Sequence, residues 1–393
     1  MDWKSRRTIF AAAGFPFTTC KEAADAFADE KLKTHFYHRY GHDNPDIFAM
    51  SVAKLDRAED GIATSSGEAA IELVCKVFVQ PGEAVVSSAR IYGGTYNYFT
   101  NYLLAERGVQ ARFVPDPTDL VVWERAMRPR FSFNRWQPKV AFLESPGNPL
   151  LEVYDIAAIA NVVHKNGALL VVDNTIAGPT IQRPLEFGAD LVVYSATKYL
   201  TNGLFLSGVV TGGKELIEPL RQRLGVSGVN LGVFESWFAT TAVAHLEVRM
   251  KQHSQNASAL ARFLYTHPAV KRVYYPGLNS TAQRELVRKQ MGSKGSGLLS
   301  FEIEGGKDAS WCVCDHLVAN GTAIIVPHLG ETETMAIHPA TTTHAKLTQA
   351  QRQEAGIGDG LIRVSVGLEE KEKILSGFND ALSTIAPRYC GAL

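Results

Sequence analysis

The stretch LVVYSATKYL, residues 191–200, joins a short apolar run to two hydroxyl side chains and a lysine. This order is typical of a buried strand that delivers polar groups at its carboxyl end. A second apolar run, 168–172, ends in Asp173 and two further polar residues. If the two runs are neighbouring parallel strands, Asp173 and Lys198 leave the sheet at the same edge, where open α/β sheets bind ligands.

A lysine and a carboxylate at one sheet edge suit a pyridoxal phosphate (PLP) site. Such a site needs a lysine for the Schiff base, a carboxylate for the pyridine nitrogen, and hydroxyl and backbone N–H groups for the phosphate. Lys198 and Asp173 supply the first two, and Ser195 and Thr197 flank the lysine. Other α/β proteins also carry such residues at strand ends, so the pair alone leaves the cofactor open.

Length and composition predict a two-domain globular protein. The chain has 393 residues, of which 46% are apolar and 20% charged, as in ordinary globular domains of about 100–200 residues each. Forty basic side chains balance forty acidic ones, which gives no electrostatic reason to bind nucleic acid or an anionic membrane. No apolar run reaches the roughly 18 residues that a membrane span needs.

The N-terminus and the cysteines favour a cytoplasmic location. Basic residues precede the mildly apolar segment 9–17, as in a signal peptide, but that segment is short, contains glycine and proline, and lacks a clear cleavage site. Five scattered cysteines fit a reducing compartment better than a disulfide framework. Cys312, Cys314 and His316 would share one face of a strand, but without a second ligand pair we expect packing residues and no metal site.

The order of apolar runs favours a mainly parallel sheet covered by helices on both faces. Strand-like runs alternate with helical stretches between Gly82 and Tyr194. Serines and Gly67 precede a helical pattern that starts at Ala69, which indicates an N-cap and N–H groups that suit a phosphate, although a plain capped helix is the simpler interpretation. The strand-like runs are 84–86, 109–114, 140–143, 169–172 and 191–194.

Further along, a long helical pattern from about Phe234 to Tyr265 is interpreted as a bridge to a second domain. That domain has strand-like runs near 297–303 and 361–366. Residues 1–55 show no sustained period and predict an extended arm. We therefore expect three parts: an N-terminal arm (1–55), a large cofactor-binding domain (56–250) and a C-terminal small domain (251–393).

Seven motifs, in order, resemble the Cys/Met-metabolism family of PLP-dependent enzymes. That family includes cystathionine γ-synthase, methionine γ-lyase and O-acetylhomoserine sulfhydrylase. The motifs are YGGT (92–95), ESPGNP (144–149), VDNT (172–175), SATKY (195–199), YYPGL (274–278), IHPA (337–340) and RVSVGLE (363–369). The resemblance implies the fold type I architecture of PLP-dependent transferases: an α/β fold with a mainly parallel seven-stranded sheet between helices, plus a smaller C-terminal α/β domain.

The resemblance also implies a role for each matching residue. Lys198 would form the Schiff base and act as the catalytic base, and Tyr92 would stack on the ring and donate a proton. Arg363 would bind the substrate α-carboxylate, and His328 is a further substrate-binding candidate. The implied cofactor-binding residues are Gly67, Glu68, Tyr92, Asn148, Asp173, Thr175, Ser195, Thr197 and Lys198. Among them, Asp173 would pair with the pyridine nitrogen and Asn148 would lie near the phenolic oxygen.

In the family, residues that match Tyr37 and Arg39 reach the phosphate bound to a neighbouring subunit. The resemblance therefore implies active sites shared between subunits of a homo-oligomer, at least a dimer and by expectation a dimer of dimers. The resemblance thus implies that the N-terminal arm contacts a neighbouring subunit.

The reaction implied is γ-elimination or γ-replacement on a homoserine-derived amino acid, through a vinylglycine-type intermediate. An O-acylhomoserine with a thiol, or a methionine-like substrate, is expected. Glu68 and Glu331, with His42 and His328, depart from the family pattern and suggest as an alternative a cationic Cγ substituent, such as the oxyguanidine of canavanine. A fold-type-I aminotransferase and a catalytically silent binding protein are further alternatives.

Overall fold

The computed structural model describes residues 7–28, 35–129, 136–278, 280–292, 294–345, 348–349, 352 and 355–384. These residues form two compact units. The first contains the described residues up to Ser88 together with Gly94–Leu143 and Ile156–Leu246. The second contains Ala89–Gly93, Glu144–Asp155 and the described residues from Glu247 onward. The predicted division at residues 55 and 250 remains a prediction.

The first unit is built on a seven-stranded sheet with the order β1-β7-β6-β5-β4-β2-β3. The pairs β2–β3, β2–β4 and β5–β6 are parallel, whereas β7 runs antiparallel to β6 and β1. The strands are β1 (Asp60–Thr64), β2 (Ala84–Ser88), β3 (Gln110–Val114), β4 (Pro138–Glu144), β5 (Leu169–Asp173), β6 (Leu191–Ser195) and β7 (Gly208–Gly212). All five predicted strand-like runs are confirmed as strands of this sheet.

Helices accompany this sheet along the chain. They are α1 (Cys20–Ala28), α2 (Asp43–Asp56), α3 (Gly67–Phe78), α4 (Gly93–Asn97), α5 (Leu103–Arg107), α6 (Leu120–Met127), α7 (Ile156–Lys165), α8 (Lys214–Ser227) and α9 (Val233–Ala244). A π-helical segment spans Tyr98–Tyr102 and a 3₁₀ turn spans Pro184–Phe187. Helix α3 begins at Gly67, two residues before the predicted helical pattern. The predicted N-cap is confirmed, because the Ser66 hydroxyl accepts the Ala69 N–H at 3.1 Å.

The N-terminal region is more regular than the extended arm that the sequence predicts. Helix α2 buries Ile47, Phe48 and Val52 and packs against β1 and α9. Its first turn contains Pro45, a residue that in the sequence suggests a loop. Proline is tolerated in the first turn of a helix, because backbone N–H groups there have no intrahelical acceptor. The prediction of an extended arm is therefore wrong for residues 20–28, which form α1, and for residues 43–55.

The second unit is built on a four-stranded antiparallel sheet with the order β10-β11-β9-β8. Phe301 of β9 and Phe378 pack edge to face in its core, with ring centroids 6.2 Å apart. The strands are β8 (Val270–Tyr274), β9 (Leu298–Ile303), β10 (Met335–Ile337) and β11 (Leu361–Ser365). The helices are α10 (Leu246–Tyr265), α11 (Thr281–Met291), α12 (Gly306–Ala319) and α13 (Lys371–Ser383), with a 3₁₀ turn at Pro339–Thr341. The predicted strands near 297–303 and 361–366 are confirmed.

Two expectations need correction here. The helical pattern from Phe234 to Tyr265 is two helices, because α9 ends at Ala244 and α10 begins at Leu246. Cys312, Cys314 and His316 lie in helix α12 rather than in a strand. Residues two apart on a helix do not face each other, so the three side chains do not share a face; Cys314 is buried and Cys312 is exposed.

No helix among the described residues is both long enough and apolar enough to cross a membrane.

Candidate active site

The ends of β5 and β6 bring the predicted lysine and aspartate to one sheet edge. The two strands are adjacent and parallel, with Asp173 opposite Val193. The chain turns directly after β6, where the Lys198 N–H donates to the Ser195 carbonyl at 3.2 Å. The predicted common edge is confirmed.

Asp173 is buried, 8% exposed, and Thr175 holds its carboxylate in place. The Thr175 backbone N–H donates to Asp173 Oδ1 at 2.9 Å, and the Thr175 hydroxyl also hydrogen-bonds the carboxylate. The same hydroxyl accepts the Ser195 N–H at 2.8 Å, which ties the end of β5 to the end of β6. Burial raises the pKa of Asp173, and the two Thr175 hydrogen bonds lower it. A cationic ring nitrogen would complement this buried carboxylate.

A cradle for a phosphate lies where the start of α3 meets the end of β6. A Cβ on Gly67 would come within 2.8 Å of Ser195 Cα and 3.1 Å of Ser195 Oγ. Only glycine therefore permits this approach. The N–H groups of Gly67 and Glu68 occupy the first two helical positions, where no intrahelical acceptor exists, and a helix N-terminus favours an anion. The residues fit the phosphate of PLP.

Thr197 is less well disposed toward a phosphate. Its hydroxyl donates to the Ser207 carbonyl at 3.1 Å and accepts the Ser207 N–H at 2.9 Å. The side chain thus closes the turn after β6 and is only 6% exposed. A phosphate oxygen would have to replace the Ser207 carbonyl as acceptor, so phosphate binding by Thr197 stays a prediction.

Glu68 directs its carboxylate to a neutral partner. The Thr95 hydroxyl donates to Glu68 Oε1 at 2.9 Å. Burial is the main cause that raises the pKa of Glu68, and the negative charges of Asp173 and Glu72 add to it. A carboxylate near a phosphate is repelled unless it points away or meets a cation; the Glu68 carboxylate instead accepts from a hydroxyl.

In the second unit, one buried carboxylate holds two of the predicted residues. Glu144 is 4% exposed. Its Oε2 accepts the backbone N–H of Tyr92 at 2.7 Å, and its Oε1 accepts the backbone N–H of Asn148 at 3.0 Å. Tyr92 is 49% exposed, whereas Asn148 is 7% exposed. Glu144 received no role from the sequence, although it opens the ESPGNP motif.

Arg363 lies buried in β11, 3% exposed. Its Nη1 donates to Asn148 Oδ1 at 3.3 Å, and its Nη2 donates to the carbonyl oxygen of His328 at 3.1 Å. These bonds fix the plane of the guanidinium, which suits bidentate recognition of a carboxylate. Burial, helped by the positive charge of Arg363, lowers the pKa of His344 to about 4, so this neighbour is neutral at physiological pH.

His328 and Glu331 form a pair near Arg363. His328 Nε2 lies 3.6 Å from Glu331 Oε1. Both residues depart from the family pattern, and the structure shows that they interact with each other. A substrate contact by His328 stays a prediction.

Tyr37 and Arg39 lie in the first unit. The Arg39 guanidinium stands over the Tyr40 ring at 4.7 Å and the Tyr37 ring at 5.3 Å, and its Nη1 donates to the Gly225 carbonyl at 2.5 Å. Tyr37 is 42% exposed. Their role toward a neighbouring subunit stays a prediction.

His42 is not available to a substrate in this structure. Its Nδ1 accepts the Asn44 N–H at 3.1 Å and caps helix α2, while its Nε2 hydrogen-bonds the Phe10 carbonyl at 2.9 Å. The expectation that His42 helps to select a substrate is therefore wrong, because both ring nitrogens bind backbone. No N-cap signal is present in the sequence at His42, because helix N-caps are usually Ser, Thr, Asp or Asn.

Nearly the whole chain matches a known family. A family model described as Cys/Met metabolism PLP-dependent enzyme matches residues 4–383. This match confirms the family resemblance and the cofactor that the motifs indicate.

Curated relatives and a solved structure extend the comparison. O-succinylhomoserine sulfhydrylase from Pseudomonas aeruginosa is 38% identical over 378 residues, which cover 96% of this chain and 90% of the relative. L-methionine gamma-lyase from Pseudomonas putida is 37% identical over 381 residues, covering 96% and 92%. The structure of cystathionine gamma synthase from Xanthomonas oryzae pv. oryzae in complex with cystathionine has a TM-score of 0.88 at 32% identity, covering 97% of this chain and 93% of the other. The predicted fold class is confirmed.

Proposed function

Since the chain belongs to the Cys/Met-metabolism family of PLP-dependent enzymes, we propose that it catalyses γ-elimination or γ-replacement on a homoserine-derived L-amino acid. The bond cleaved is Cγ–O or Cγ–S. An O-acylhomoserine with a thiol as the second substrate is the first candidate, and a methionine-like thioether is the second. Two relatives whose alignments cover 96% of this chain support both candidates. One is an O-succinylhomoserine sulfhydrylase and the other an L-methionine gamma-lyase.

The residues at the sheet edge hold the cofactor. PLP, when bound, supplies an electron sink that stabilises negative charge at the substrate Cα. Asp173 keeps the ring nitrogen protonated, since a buried carboxylate favours a cationic partner. Ser195 and the N–H groups of Gly67 and Glu68 bind the phosphate. Thr197 joins them if its hydroxyl turns away from Ser207.

Three further residues, Arg363, Tyr92 and Asn148, orient the substrate and the ring. Arg363 binds the substrate α-carboxylate through its planar guanidinium. Tyr92 stacks on the cofactor ring, and Asn148 lies near the phenolic oxygen. The hydrogen bond from Arg363 to Asn148 Oδ1 links these two tasks.

Two side chains move protons. Lys198 Nζ removes the proton from the substrate Cα and a further proton from Cβ, as a general base. Tyr92 Oη gives a proton to the oxygen or sulfur that leaves Cγ, while that atom keeps the bonding electron pair. In replacement, the thiol sulfur then adds to Cγ and a proton returns to Cβ. In elimination, water hydrolyses the released enamine to a 2-oxo acid and ammonia.

The relatives favour chemistry at Cγ over plain amino-group transfer, since one is an O-succinylhomoserine sulfhydrylase and one an L-methionine gamma-lyase. Tyr92, the proposed proton donor, is 49% exposed, and its backbone N–H bonds to the same carboxylate as the Asn148 N–H. An aminotransferase expels no group from Cγ and needs no donor there.

The oxyguanidine alternative loses support from the geometry. His42 binds backbone at both nitrogens, and Glu68 accepts from Thr95. Only Glu331 and His328 remain as candidates to recognise a cationic substituent, and they lie close to each other.

A substrate panel tests the proposal. Purified holoenzyme is incubated with O-succinyl- or O-acetyl-L-homoserine, each with and without sulfide or cysteine, and separately with L-methionine and L-canavanine. Products are identified by mass spectrometry, with Lys198→Ala as the control. We expect thioether or homocysteine from an acylhomoserine, or 2-oxobutanoate from elimination, and neither from the control.

Three results would contradict the proposal in different ways. If canavanine is the only substrate that reacts and it yields homoserine, the oxyguanidine alternative is correct. Amino-group transfer to an added 2-oxo acid, with the Cγ substituent intact, would indicate an aminotransferase. A protein that binds PLP but releases nothing from any substrate would indicate a silent binding protein.

We also propose that the working form is a homo-oligomer, with a dimer of dimers as the expected assembly, in the cytoplasm. The basis is the family match and the position of Tyr37 and Arg39. Native mass spectrometry gives the assembly directly. A monomer that binds PLP at full strength would contradict the shared site, and Arg39→Ala is expected to weaken PLP binding without unfolding the chain.

A further inference from the structure

Glu144 is a buried residue with no role in the proposed reaction. It is a buried carboxylate at the start of the segment Glu144–Asp155, which contains Asn148, and it bonds to the segment Ala89–Gly93, which contains Tyr92. Each of its oxygens accepts a backbone N–H from one of those residues, at 2.7 Å and 3.0 Å. Charge-assisted bonds of this kind are roughly twice as strong as neutral ones.

We propose that Glu144 is a positioning residue that sets the proton donor Tyr92 in register with Asn148 and Arg363. The inference rests on the proposed function. One carboxylate holds the Tyr92 backbone, the same carboxylate holds the Asn148 backbone, and Asn148 Oδ1 accepts from Arg363 Nη1 at 3.3 Å. A continuous chain of three hydrogen bonds thus runs from the donor to the group that binds the substrate.

The Tyr92 side chain itself depends on such a backbone anchor. Tyr92 is 49% exposed, and its backbone N–H donates to the buried Glu144 carboxylate. The position of that backbone limits where the side chain can place Oη. Proton transfer to a leaving group requires the donor within hydrogen-bond reach, and a misplacement of about 1 Å costs about a hundredfold in rate.

Glu144→Gln is the sharpest perturbation, because glutamine keeps the size and removes one acceptor. Its amide has one carbonyl oxygen and one NH₂ group. In either orientation, one of the two backbone N–H groups faces a donor instead of an acceptor. Neither Tyr92 nor Asn148 is changed.

Glu152→Gln is the matched control. Glu152 lies in the same segment, pairs with Arg90, and accepts from the Tyr154 hydroxyl at 3.1 Å. Its carboxylate has no hydrogen bond to Tyr92 or Asn148 among the described contacts. A general loosening of the segment would affect both variants, whereas loss of the anchor affects only Glu144→Gln.

The first readout needs no activity. Hydrogen–deuterium exchange of the backbone amides of Tyr92 and Asn148 is followed in the holoenzyme by NMR or by mass spectrometry with fragmentation. We expect at least one of the two amides to exchange about tenfold faster or more in Glu144→Gln, since a lost hydrogen bond opens the amide locally. Unchanged exchange at both amides, relative to wild type and Glu152→Gln, would overturn the inference.

The second readout separates proton donation from the earlier step. With L-methionine in D₂O, washout of the α-proton is compared with release of methanethiol, because a thiolate leaves Cγ poorly without a proton, whereas succinate can leave as an anion. A misplaced donor slows release by about 10- to 100-fold but spares washout, so the ratio of washout to release rises. Partial unfolding lowers both rates together and leaves the ratio unchanged, which would count against positioning. Adding Tyr92→Phe to Glu144→Gln should cost little more than either change alone, because both act on one proton.

The outcomes distinguish failure of the proposed function from failure of the positioning role. If wild-type enzyme releases no γ-substituent from any acylhomoserine or from methionine, the proposed function fails. If wild type is active and Glu144→Gln keeps the wild-type ratio of washout to release, the positioning role fails and the function stands.

Discussion

Replacing Gly67 with alanine tests the phosphate cradle at its tightest contact. The added Cβ would lie 2.8 Å from both Cα and Cβ of Ser195, about 0.6 Å inside the 3.4 Å of ordinary contact. Backbone atoms cannot rotate away, so the start of α3 and the end of β6 must separate. Overpacking of this size costs about 1–3 kcal/mol.

The separation moves the N–H groups of Gly67 and Glu68 away from Ser195. If the cradle loses a similar amount of binding free energy, PLP affinity falls by about 10- to 100-fold, since each 1.4 kcal/mol is about a factor of ten. The assay is a titration of apoenzyme with PLP, followed by absorbance. Thermal unfolding with and without PLP gives a second measure, because a ligand stabilises only the state that binds it.

Gly167→Ala is the matched control for Gly67→Ala. Gly167 has nothing within 4 Å of its added Cβ but has φ of +67°, so alanine there costs about 1–2 kcal/mol of stability through backbone strain alone. We expect the control to lower the melting temperature and leave PLP affinity unchanged. A folded Gly67→Ala protein that binds PLP as tightly as wild type would refute the cradle.

Three further changes test other parts of the site and its support. Asp173→Asn should keep the cofactor but lower kcat by about a hundredfold or more, because a neutral amide cannot keep the ring nitrogen protonated; an unchanged steady-state kcat would contradict this. Arg363→Lys should raise KM about tenfold or more with a smaller change in kcat, since lysine lacks the planar fork; equal KM values would argue against carboxylate binding. Burial raises the pKa of Asp56 from 3.8 to about 7, so the folded chain holds an extra proton and loses stability as pH rises from about 4 to 7. Urea unfolding should show that the free energy of unfolding of wild type falls across that pH window, whereas that of Asp56→Asn does not. If the two proteins lose stability in parallel, the raised pKa of Asp56 is not the cause.

The sequence predicts the sheet edge well because its signals are local. Apolar runs that end in polar residues mark β5 and β6, and Ser66 before Gly67 marks the start of α3. Strands of this kind are buried on both faces, so they stand out as continuous apolar runs. The positions of Asp173 and Lys198 follow directly from those strands.

Other features depend on contacts that no local pattern records. The role of Glu144 rests on its hydrogen bonds to Tyr92 and Asn148, of which Tyr92 lies 52 positions away in the sequence. The Thr197 hydroxyl is taken up by a turn that closes ten residues later. His42 carried a functional interpretation because it departs from the family pattern, whereas the structure shows it capping a helix.

The central claim is that this enzyme breaks a bond at Cγ. The most direct measurement incubates the holoenzyme with O-succinyl-L-homoserine in D₂O, with and without sulfide, and identifies every product by mass spectrometry and NMR. We predict release of succinate together with homocysteine when sulfide is present, or with 2-oxobutanoate that carries deuterium when it is absent. Recovery of a 2-oxo acid that still carries its succinyl group, or of untouched substrate, would contradict the account.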